Sequence, residues 1–330
     1  MEQRENGHQA LEYLRRVTNS LQTTYITMRH FSYGFLRRLC SAIVLILATT
    51  WPACAQENTV TWGVVDWAPT FILKNGKTPT KPEDLGNGLI DRVTASLAAR
   101  MPAYHHVFLQ ANLQRIFAEI AVGNHICYAG AFKTPEREKI AYFSPSILTS
   151  TVALIVREDR IQKLQLQGAS TSLKHLIEER TDLSGYIESG RSFSPMIDQV
   201  LQSGGKNQRR ITVPRTGHLL QLLDAGRMDY TIDYPYVVEY QSRLGQFKNS
   251  LLAIGLDDAP AVATAYVACP RTAWGKDVML HIDAALRDAA HDTTFRHAAT
   301  DWLPEAFVKL HRAEFESFYD NLEHLPSTDR

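Results

Sequence analysis

Apolar and polar residues alternate along the chain in two periods, which divide it into short strands and amphipathic helices. Residues 59–65 form a β-rich run that predicts a first strand, and residues 107–109 predict a second one. Between them, apolar residues recur at helical spacing over residues 89–101. A helix over Leu113–Ala121 and a strand over Ile126–Ala131 follow. This βαβαβ order predicts a parallel sheet with helices on both faces.

The middle of the chain repeats this alternation before the chain returns to the first sheet. The predicted helices there cover residues 173–179, 196–201 and 237–243, with another near Leu222, and the predicted strands cover residues 185–187, 211–214 and 230–233. Residues 149–156 carry the chain out of the first sheet, and residues 251–256 begin its return. Residues 265–269 belong again to the first sheet. An amphipathic helix follows Trp274, and further helices are predicted over residues 293–303 and 306–322. We interpret the pattern as two α/β lobes joined by two crossing strands, with a ligand cleft between them.

A basic stretch after Met28, an apolar run over residues 40–51 and the sequence Ala-Cys-Ala ending at Ala55 are typical of a secretory signal peptide. We therefore predict cleavage after Ala55, with an uncleaved anchor or a buried helix as the alternatives. The predicted organisation is an upstream extension from a mis-assigned start codon over residues 1–27, a signal peptide over 28–55, a first lobe over 56–150 plus 262–330, and a second lobe over 151–261.

Charge and motif content exclude several classes of function. The 330 residues include 35 Lys and Arg and 35 Asp and Glu, and this balance argues against a nucleic-acid or anionic-membrane partner. The sequence contains no nucleophile elbow, zincin helix, P-loop or dinucleotide fingerprint, so no cofactor is predicted. After signal removal only Cys127 and Cys269 remain, too few for a structural zinc site. In an oxidising compartment they form either a disulfide or two buried thiols.

The most informative stretch follows the strand that ends near Ala131. Thr134-Pro135 ends any regular ladder, because proline has no N–H to donate. Arg137 comes directly afterwards, and its planar fork of donors suits a carboxylate. The alternative is a surface arginine paired with a neighbouring glutamate.

This stretch resembles the signature of family 3 periplasmic solute-binding proteins, the amino-acid-binding components of ABC importers. The matching blocks are Thr134-Pro135-Glu136-Arg137, Tyr142-Phe143-Ser144-Pro145, residues 63–71, residues 88–91 and residues 226–233. The resemblance implies a periplasmic binding protein-like type II fold and a periplasmic monomer. It also implies that lobe closure captures a small carboxylate-bearing ligand, delivered to an ABC permease.

The resemblance and the chemistry of the side chains together select the candidate ligand contacts. Two aromatics would stack on the ligand, and Arg137 would bind its carboxylate. The start of a helix would add an anion site, and an acidic residue at a strand end would bind an amino group or hydroxyl of the ligand. The alternatives are core aromatics, an ordinary helix cap and an ordinary turn residue. The candidates are Trp67, Phe71, Gly130, Phe132, Arg137, Arg191, Ser192, Asp233 and Tyr234.

Two departures from the family pattern weaken the expected grip on an α-ammonium group. Gly130 and Phe132 stand where amino-acid-binding members carry hydroxyl residues, and the spacing from Asp229 to Asp233 is one residue short. The short spacing leaves Asp233 and Tyr234 as rivals for the ligand. Two other functions stay open: a cyclohexadienyl dehydratase-like enzyme using Asp233 or Glu188, and a module that senses a ligand or binds a partner.

Overall fold

The computed structural model describes residues 58–165, 170–189, 191, 193–213 and 217–325. The predicted extension and signal peptide therefore lie outside the described residues. The strands of the described part are Thr59–Val64 (β1), His105–Gln110 (β2), Ile126–Ala131 (β3), Ala141–Ser150 (β4), Ala153–Arg157 (β5), Ser170–Thr171 (β6), Gly185–Glu188 (β7), Gln208–Ile211 (β8), Tyr230–Asp233 (β9), Leu251–Leu256 (β10) and Val262–Pro270 (β11).

The helices alternate with these strands along most of the chain, which confirms the predicted α/β class. They are Leu89–Arg100 (α1), Leu113–Ala121 (α2), Pro135–Glu138 (α3), Ile161–Leu164 (α4), Leu173–Glu178 (α5), Pro195–Ser203 (α6), His218–Asp224 (α7), Pro235–Arg243 (α8), Ala273–Ala289 (α9), Thr293–Arg296 (α10), Glu305–Leu310 (α11) and Arg312–Glu323 (α12). Side-chain caps fix several of their starts. Asn112 accepts from the N–H of Arg115, and Ser172 accepts from the N–H of His175.

The strands form two mixed sheets. The first sheet has the order β2-β1-β3-β11-β4, in which β1 runs parallel to β2 and β3 while β11 runs antiparallel to both of its neighbours. The second sheet has the order β6-β10-β5-β9-β7-β8, in which β7 runs parallel to β8 and β9. Each sheet carries a buried apolar face against its helices. For example, Val278, Ile282 and Leu286 of α9 are fully buried, as their helical spacing predicts.

The chain passes between the two sheets twice. It leaves the first sheet between Ser150 and Ala153 and returns between Leu256 and Val262. The Thr151 N–H donates to the Ala261 carbonyl at 2.9 Å, and the Thr151 hydroxyl donates to the Pro260 carbonyl at 2.5 Å. These hydrogen bonds hold the two crossings side by side.

The structure corrects three local predictions. The β-rich run over residues 149–156 is two strands, because Thr151 pairs with the other crossing instead of continuing a ladder. Strand β8 ends at Ile211, whereas the sequence predicts a strand that starts there. Residues 293–303 do not form one helix: α10 ends at Arg296, and Trp302 turns inward to donate its Nε1–H to the Asn87 carbonyl at 2.9 Å.

Cys127 on β3 and Cys269 on β11 form a disulfide. Tyr128 lies opposite Ala268 in this antiparallel pair, so the preceding and following cysteines face each other across the two strands. Both cysteines are fully buried. Of the two alternatives that the sequence leaves open, the structure contains the bridge.

Candidate functional site

The candidate site starts at the turn that follows β3. Thr134 caps α3 by accepting a hydrogen bond from the N–H of Arg137 at 3.3 Å, and Pro135 occupies the first turn, where a missing N–H costs nothing. The side chain of Arg137 folds back, and its Nη1 donates to the carbonyl of Phe132 at 2.7 Å. The turn therefore holds the guanidinium against the end of β3.

Arg137 is a half-buried cation that forms no ion pair with a carboxylate of the described residues. Its Cζ lies 4.0 Å from the centroid of the Phe117 ring, a cation–π contact. Burial lowers the pKa of Arg137, although a guanidinium keeps its charge. The neighbouring Glu138 pairs with Lys133 at 2.8 Å. The alternative of an ordinary surface pair with that glutamate therefore does not describe Arg137.

Aromatic side chains support this corner. Tyr128 is buried at 2 % exposure, and its ring centroid lies 6.5 Å from that of Phe117 and 6.4 Å from that of Phe71. Burial raises the pKa of Tyr128, so the phenol stays neutral. Phe71 is fully buried in the core. It therefore packs behind the corner instead of offering an open face to a ligand.

Gly130 and Phe132 contribute to the site through their backbone rather than through their side chains. A Cβ on Gly130 would lie 2.9 Å from Cγ1 of Ile90 and 3.2 Å from the hydroxyl of Tyr128. The absence of a side chain thus lets α1 pack closely on β3. Phe132 supplies the carbonyl that accepts from Arg137.

A second group of residues lies at the carboxyl end of the second sheet. Glu188 ends β7 and Asp233 ends β9, and these strands run parallel, so their carboxyl ends meet at one edge. Arg191 binds both acids: Nη1 lies 3.1 Å from Oε2 of Glu188, and Nη2 lies 3.1 Å from Oδ1 of Asp233. The same Asp233 oxygen accepts from the N–H of Tyr234 at 2.8 Å.

Aromatic rings from both sheets surround the guanidinium of Arg191. Its Cζ lies 5.1 Å from the ring centroid of Trp67, 4.9 Å from that of Phe193 and 5.5 Å from that of Tyr234. Trp67 follows β1 of the first sheet, and its ring lies 5.9 Å from that of Tyr234. The two sheets therefore meet at one guanidinium, whose side chain is only 14 % exposed. We call these residues, with Glu188 and Asp233, the Arg191 cluster.

The electrostatics of the Arg191 cluster favour the charged guanidinium. Burial alone lowers the pKa of Arg191, but Asp233, Tyr234 and Glu188 outweigh it, and the pKa lies above its ordinary value. Burial raises the pKa of Tyr234 to about 12. Packed rings connect the two places, because Phe117, which lies under Arg137, and Phe71 both contact the Tyr128 ring. The Phe71 N–H in turn donates to the carbonyl of Trp67 at 3.1 Å.

The structure brings most of the predicted residues to these two places. Trp67, Arg191, Asp233 and Tyr234 lie in the cluster, while Arg137 and Phe132 form the corner. Ser192 lies outside the described residues. The sequence analysis missed the pairing of Glu188 with Arg191 and the contributions of the aromatic residues Phe117, Tyr128 and Phe193. The parallel order of β7 and β9 could have revealed the pairing of the acids, because it places their last residues at one edge.

Within the part of the chain that the structure describes, no three His, Cys, Asp or Glu side chains are grouped closely enough to hold a metal ion. Among the same residues, none of the helices has the length and apolar character needed to cross a bilayer.

Comparison with known proteins adds the fold family. No family model and no curated protein sequence matches the chain. A probable amino-acid ABC transporter extracellular-binding protein from Bacillus subtilis is 17% identical, with a TM-score of 0.55 over 75% of this chain and 98% of that one. An ancestral amino-acid-binding protein, described as a precursor of cyclohexadienyl dehydratase, is 17% identical, with a TM-score of 0.54 over 75% of this chain and 96% of that one.

A histidine kinase sensor domain with similarity to periplasmic binding proteins is also similar. It is 18% identical, with a TM-score of 0.54 over 76% of this chain and 97% of the sensor domain. At these identities the likeness concerns the arrangement of helices and strands. The chain has the type II periplasmic binding protein fold that its sequence predicts, with two α/β lobes joined by two crossing segments.

Proposed function

We propose that this protein is an extracytoplasmic solute-binding protein that captures a small carboxylate-bearing ligand by closing its two lobes, and that Arg137 binds the carboxylate. The observation that carries the proposal is the state of Arg137. It is half-buried, it donates to one backbone carbonyl, and no carboxylate of the described residues pairs with it. A partly desolvated guanidinium gains most from a ligand that supplies two oxygens at once.

The position of the site supports binding between the lobes. Ligands of open α/β sheets lie outside the carboxyl ends of the strands; Arg137 follows the end of β3, and Asp233 is the last residue of β9. Trp67 already contacts Tyr234 across the two sheets at 5.9 Å. We assign residues 56–150 plus 262–330 to the first lobe and residues 151–261 to the second, with the paired crossings near Thr151 as the hinge.

Delivery to an ABC permease is part of the proposal. It rests on the predicted export signal before Gln56, on the resemblance to the family signature around Arg137, and on structural neighbours described as amino-acid ABC transporter binding proteins. We also propose that the mature protein is a periplasmic monomer.

Catalysis is the second candidate, because one structural neighbour is described as a precursor of cyclohexadienyl dehydratase. A dehydratase of this fold would need Asp233 or Glu188 as its acid. Both carboxylates are bound to Arg191, an arrangement suited to holding a cation rather than to giving a proton to a ligand. Turnover of prephenate or arogenate by the purified protein would favour the enzyme.

A thermal-shift screen of amino acids, organic acids and polyamines tests the proposed function. A ligand that binds only the native state raises the melting temperature, so carboxylates should raise it and polyamines should not. The matched variants are Arg137→Ala, which should abolish the shift, and Lys139→Ala, which removes a nearby exposed cation and should preserve it. Equal shifts in wild type and Arg137→Ala would contradict the proposal.

A further inference from the structure

The Arg191 cluster leaves Asp233 already bound to a cation. Its Oδ1 accepts from Nη2 of Arg191 at 3.1 Å and from the N–H of Tyr234 at 2.8 Å, and its side chain is 4% exposed. Glu188 binds the other nitrogen of the same guanidinium at 3.1 Å. Asp233, with Tyr234 as its rival, is the residue that the sequence analysis assigns to an amino group or hydroxyl of the ligand. In the structure the side chain of Arg191 binds Oδ1 of that carboxylate.

A free cation would have difficulty displacing Arg191. The guanidinium belongs to the same chain and lies three residues after Glu188, so its local concentration at the two acids is far above that of a dilute ligand. It also contacts the rings of Trp67, Phe193 and Tyr234. Removing one partner of a buried ion pair leaves an uncompensated charge, which is strongly unfavourable.

The end of β3 offers no substitute acceptor for an ammonium group. Gly130 has no side chain, and the side chain of Phe132 is a hydrocarbon ring. The Phe132 carbonyl already accepts from Arg137 at 2.7 Å. At the end of β3 no side chain can accept from an ammonium group, and in the second sheet Arg191 already binds one oxygen of each carboxylate, Oδ1 of Asp233 and Oε2 of Glu188.

Resting on the proposed function, we infer that Arg191 serves as a built-in cation in the place of a ligand's ammonium group, and that the ligand is a small organic acid with no amino group beside its carboxylate. Two guanidinium groups then face such an acid. Arg137 binds its carboxylate, and Arg191, which uses two of its five N–H donors on the acids, has others for an oxygen of the ligand. An ammonium group at the same place would meet a like charge.

Matched pairs of ligands test this inference on the wild-type protein without any mutation. The pairs are succinate with aspartate, glutarate with glutamate, and 3-phenylpropionate with phenylalanine, each measured by thermal shift and then by calorimetry. The acid without the amino group should raise the melting temperature in at least one pair, and its amino counterpart should bind at least about tenfold more weakly. Free arginine should give no shift.

The variant Arg191→Gln should reverse the preference. Glutamine keeps an amide donor but removes the charge, so Asp233 becomes available to an ammonium group, and the amino member of the binding pair should gain at least about tenfold relative to the acid. Arg209→Gln is the matched control. Arg209 is an exposed arginine of the same sheet whose Cζ lies 5.9 Å from the Tyr186 ring, and its loss should leave the wild-type preference unchanged.

The outcomes separate the two proposals. If an amino acid binds the wild type as tightly as its matched acid, or if free arginine raises the melting temperature, the inference is overturned while the proposed function stands. If no member of any pair and no carboxylate of the wider screen binds, the proposed function fails and the inference fails with it. If Arg191→Gln does not fold, the wild-type pairs still decide.

Discussion

The indole Nε1–H of Trp62 donates to Nδ1 of His106 at 3.0 Å, between β1 and the edge strand β2 of the first sheet. Trp62 is fully buried on β1, and His106 lies on the neighbouring strand β2 with its Nε2 3.1 Å from the carbonyl of Met101. Because Nδ1 accepts and Nε2 donates, the ring is neutral in this arrangement. Burial lowers the pKa of His106, which favours the same neutral form.

This pair predicts a loss of stability in acid. The folded-state pKa of His106 lies below its unfolded value of about 6.5, so the unfolded chain binds the proton more readily. The contribution is fully present above about pH 6.5 and falls as the pH drops through that value, with a slope of at most ~1.4 kcal/mol per pH unit. Denaturant unfolding of wild type and His106→Gln at pH 5 and pH 7.5 measures it.

The control is His324→Gln, which changes an exposed histidine after α12, far from β2 in the sequence. Wild type and His324→Gln should lose stability alike between the two pH values, and His106→Gln should lose less. If His106→Gln keeps the full pH dependence, other groups cause it.

Arg137→Ala should weaken binding of a carboxylate found by the screen by at least about 3 kcal/mol, because it removes the charge and both arms of the fork. Arg137→Lys keeps the charge without the planar geometry and should fall between. Folding should change little, since the side chain is half-buried and makes one hydrogen bond to the backbone. Calorimetry of the three proteins measures the binding free energies; equal affinity for Ala and wild type would contradict the role.

Trp302 offers a report on lobe closure. Its ring centroid lies 5.5 Å from that of Tyr240 on α8, and Cζ of Arg243 lies 5.3 Å from the same indole. Opening the lobes should separate these groups, so Tyr240→Ala should weaken the closed state and ligand binding by about 1 kcal/mol. Small-angle scattering should show that ligand addition compacts the Tyr240→Ala variant less than it compacts the wild type. Tyr186→Ala, in the same proposed lobe, is the control and should behave like wild type.

The disulfide should stabilise the protein substantially. Cys127 and Cys269 are 142 residues apart, and closing so long a loop contributes up to about 5 kcal/mol in the chain-entropy model. The double variant Cys127→Ala/Cys269→Ala should therefore unfold at a lower denaturant concentration than the wild type. A reductant should lower the stability of the wild type and leave that of the double variant unchanged. Two free thiols by mass spectrometry of exported protein would contradict the bridge.

Export should remove the first 55 residues, because the Ala-Cys-Ala sequence ending at Ala55 suits signal peptidase. N-terminal sequencing of the exported protein should begin at Gln56. A sequence that begins at Met1 would show that the segment is retained.

The sequence predicts the elements that depend on local patterns. Strand Ile126–Ala131 has the predicted bounds, because a continuous apolar run between turn residues leaves little choice. The helices after α9 are less well predicted, because the tertiary hydrogen bond of Trp302 to Asn87 interrupts an otherwise helical pattern. Local periodicity carries no information about such a partner.

The candidate site shows the same division. Arg137 is found from its proline corner, a feature of neighbouring residues. The ion pairs of Arg191 cannot be found in this way, because its partner Asp233 is 42 residues away and Trp67 follows a strand of the other sheet. Whether an acid is free for a ligand or bound to the protein depends on such distant pairings.

The bridge between β3 and β11 also changes the connectivity of the molecule. Cys127 on β3 precedes the passage to the second sheet, which starts after Ser150, and Cys269 on β11 follows the return, so everything between the two cysteines is part of a covalent ring. A single protease cut anywhere in that ring, which contains the whole second sheet, leaves two fragments that the disulfide holds together. The nicked protein would migrate as one species until a reductant divides it in two, which makes the bridge visible on a gel.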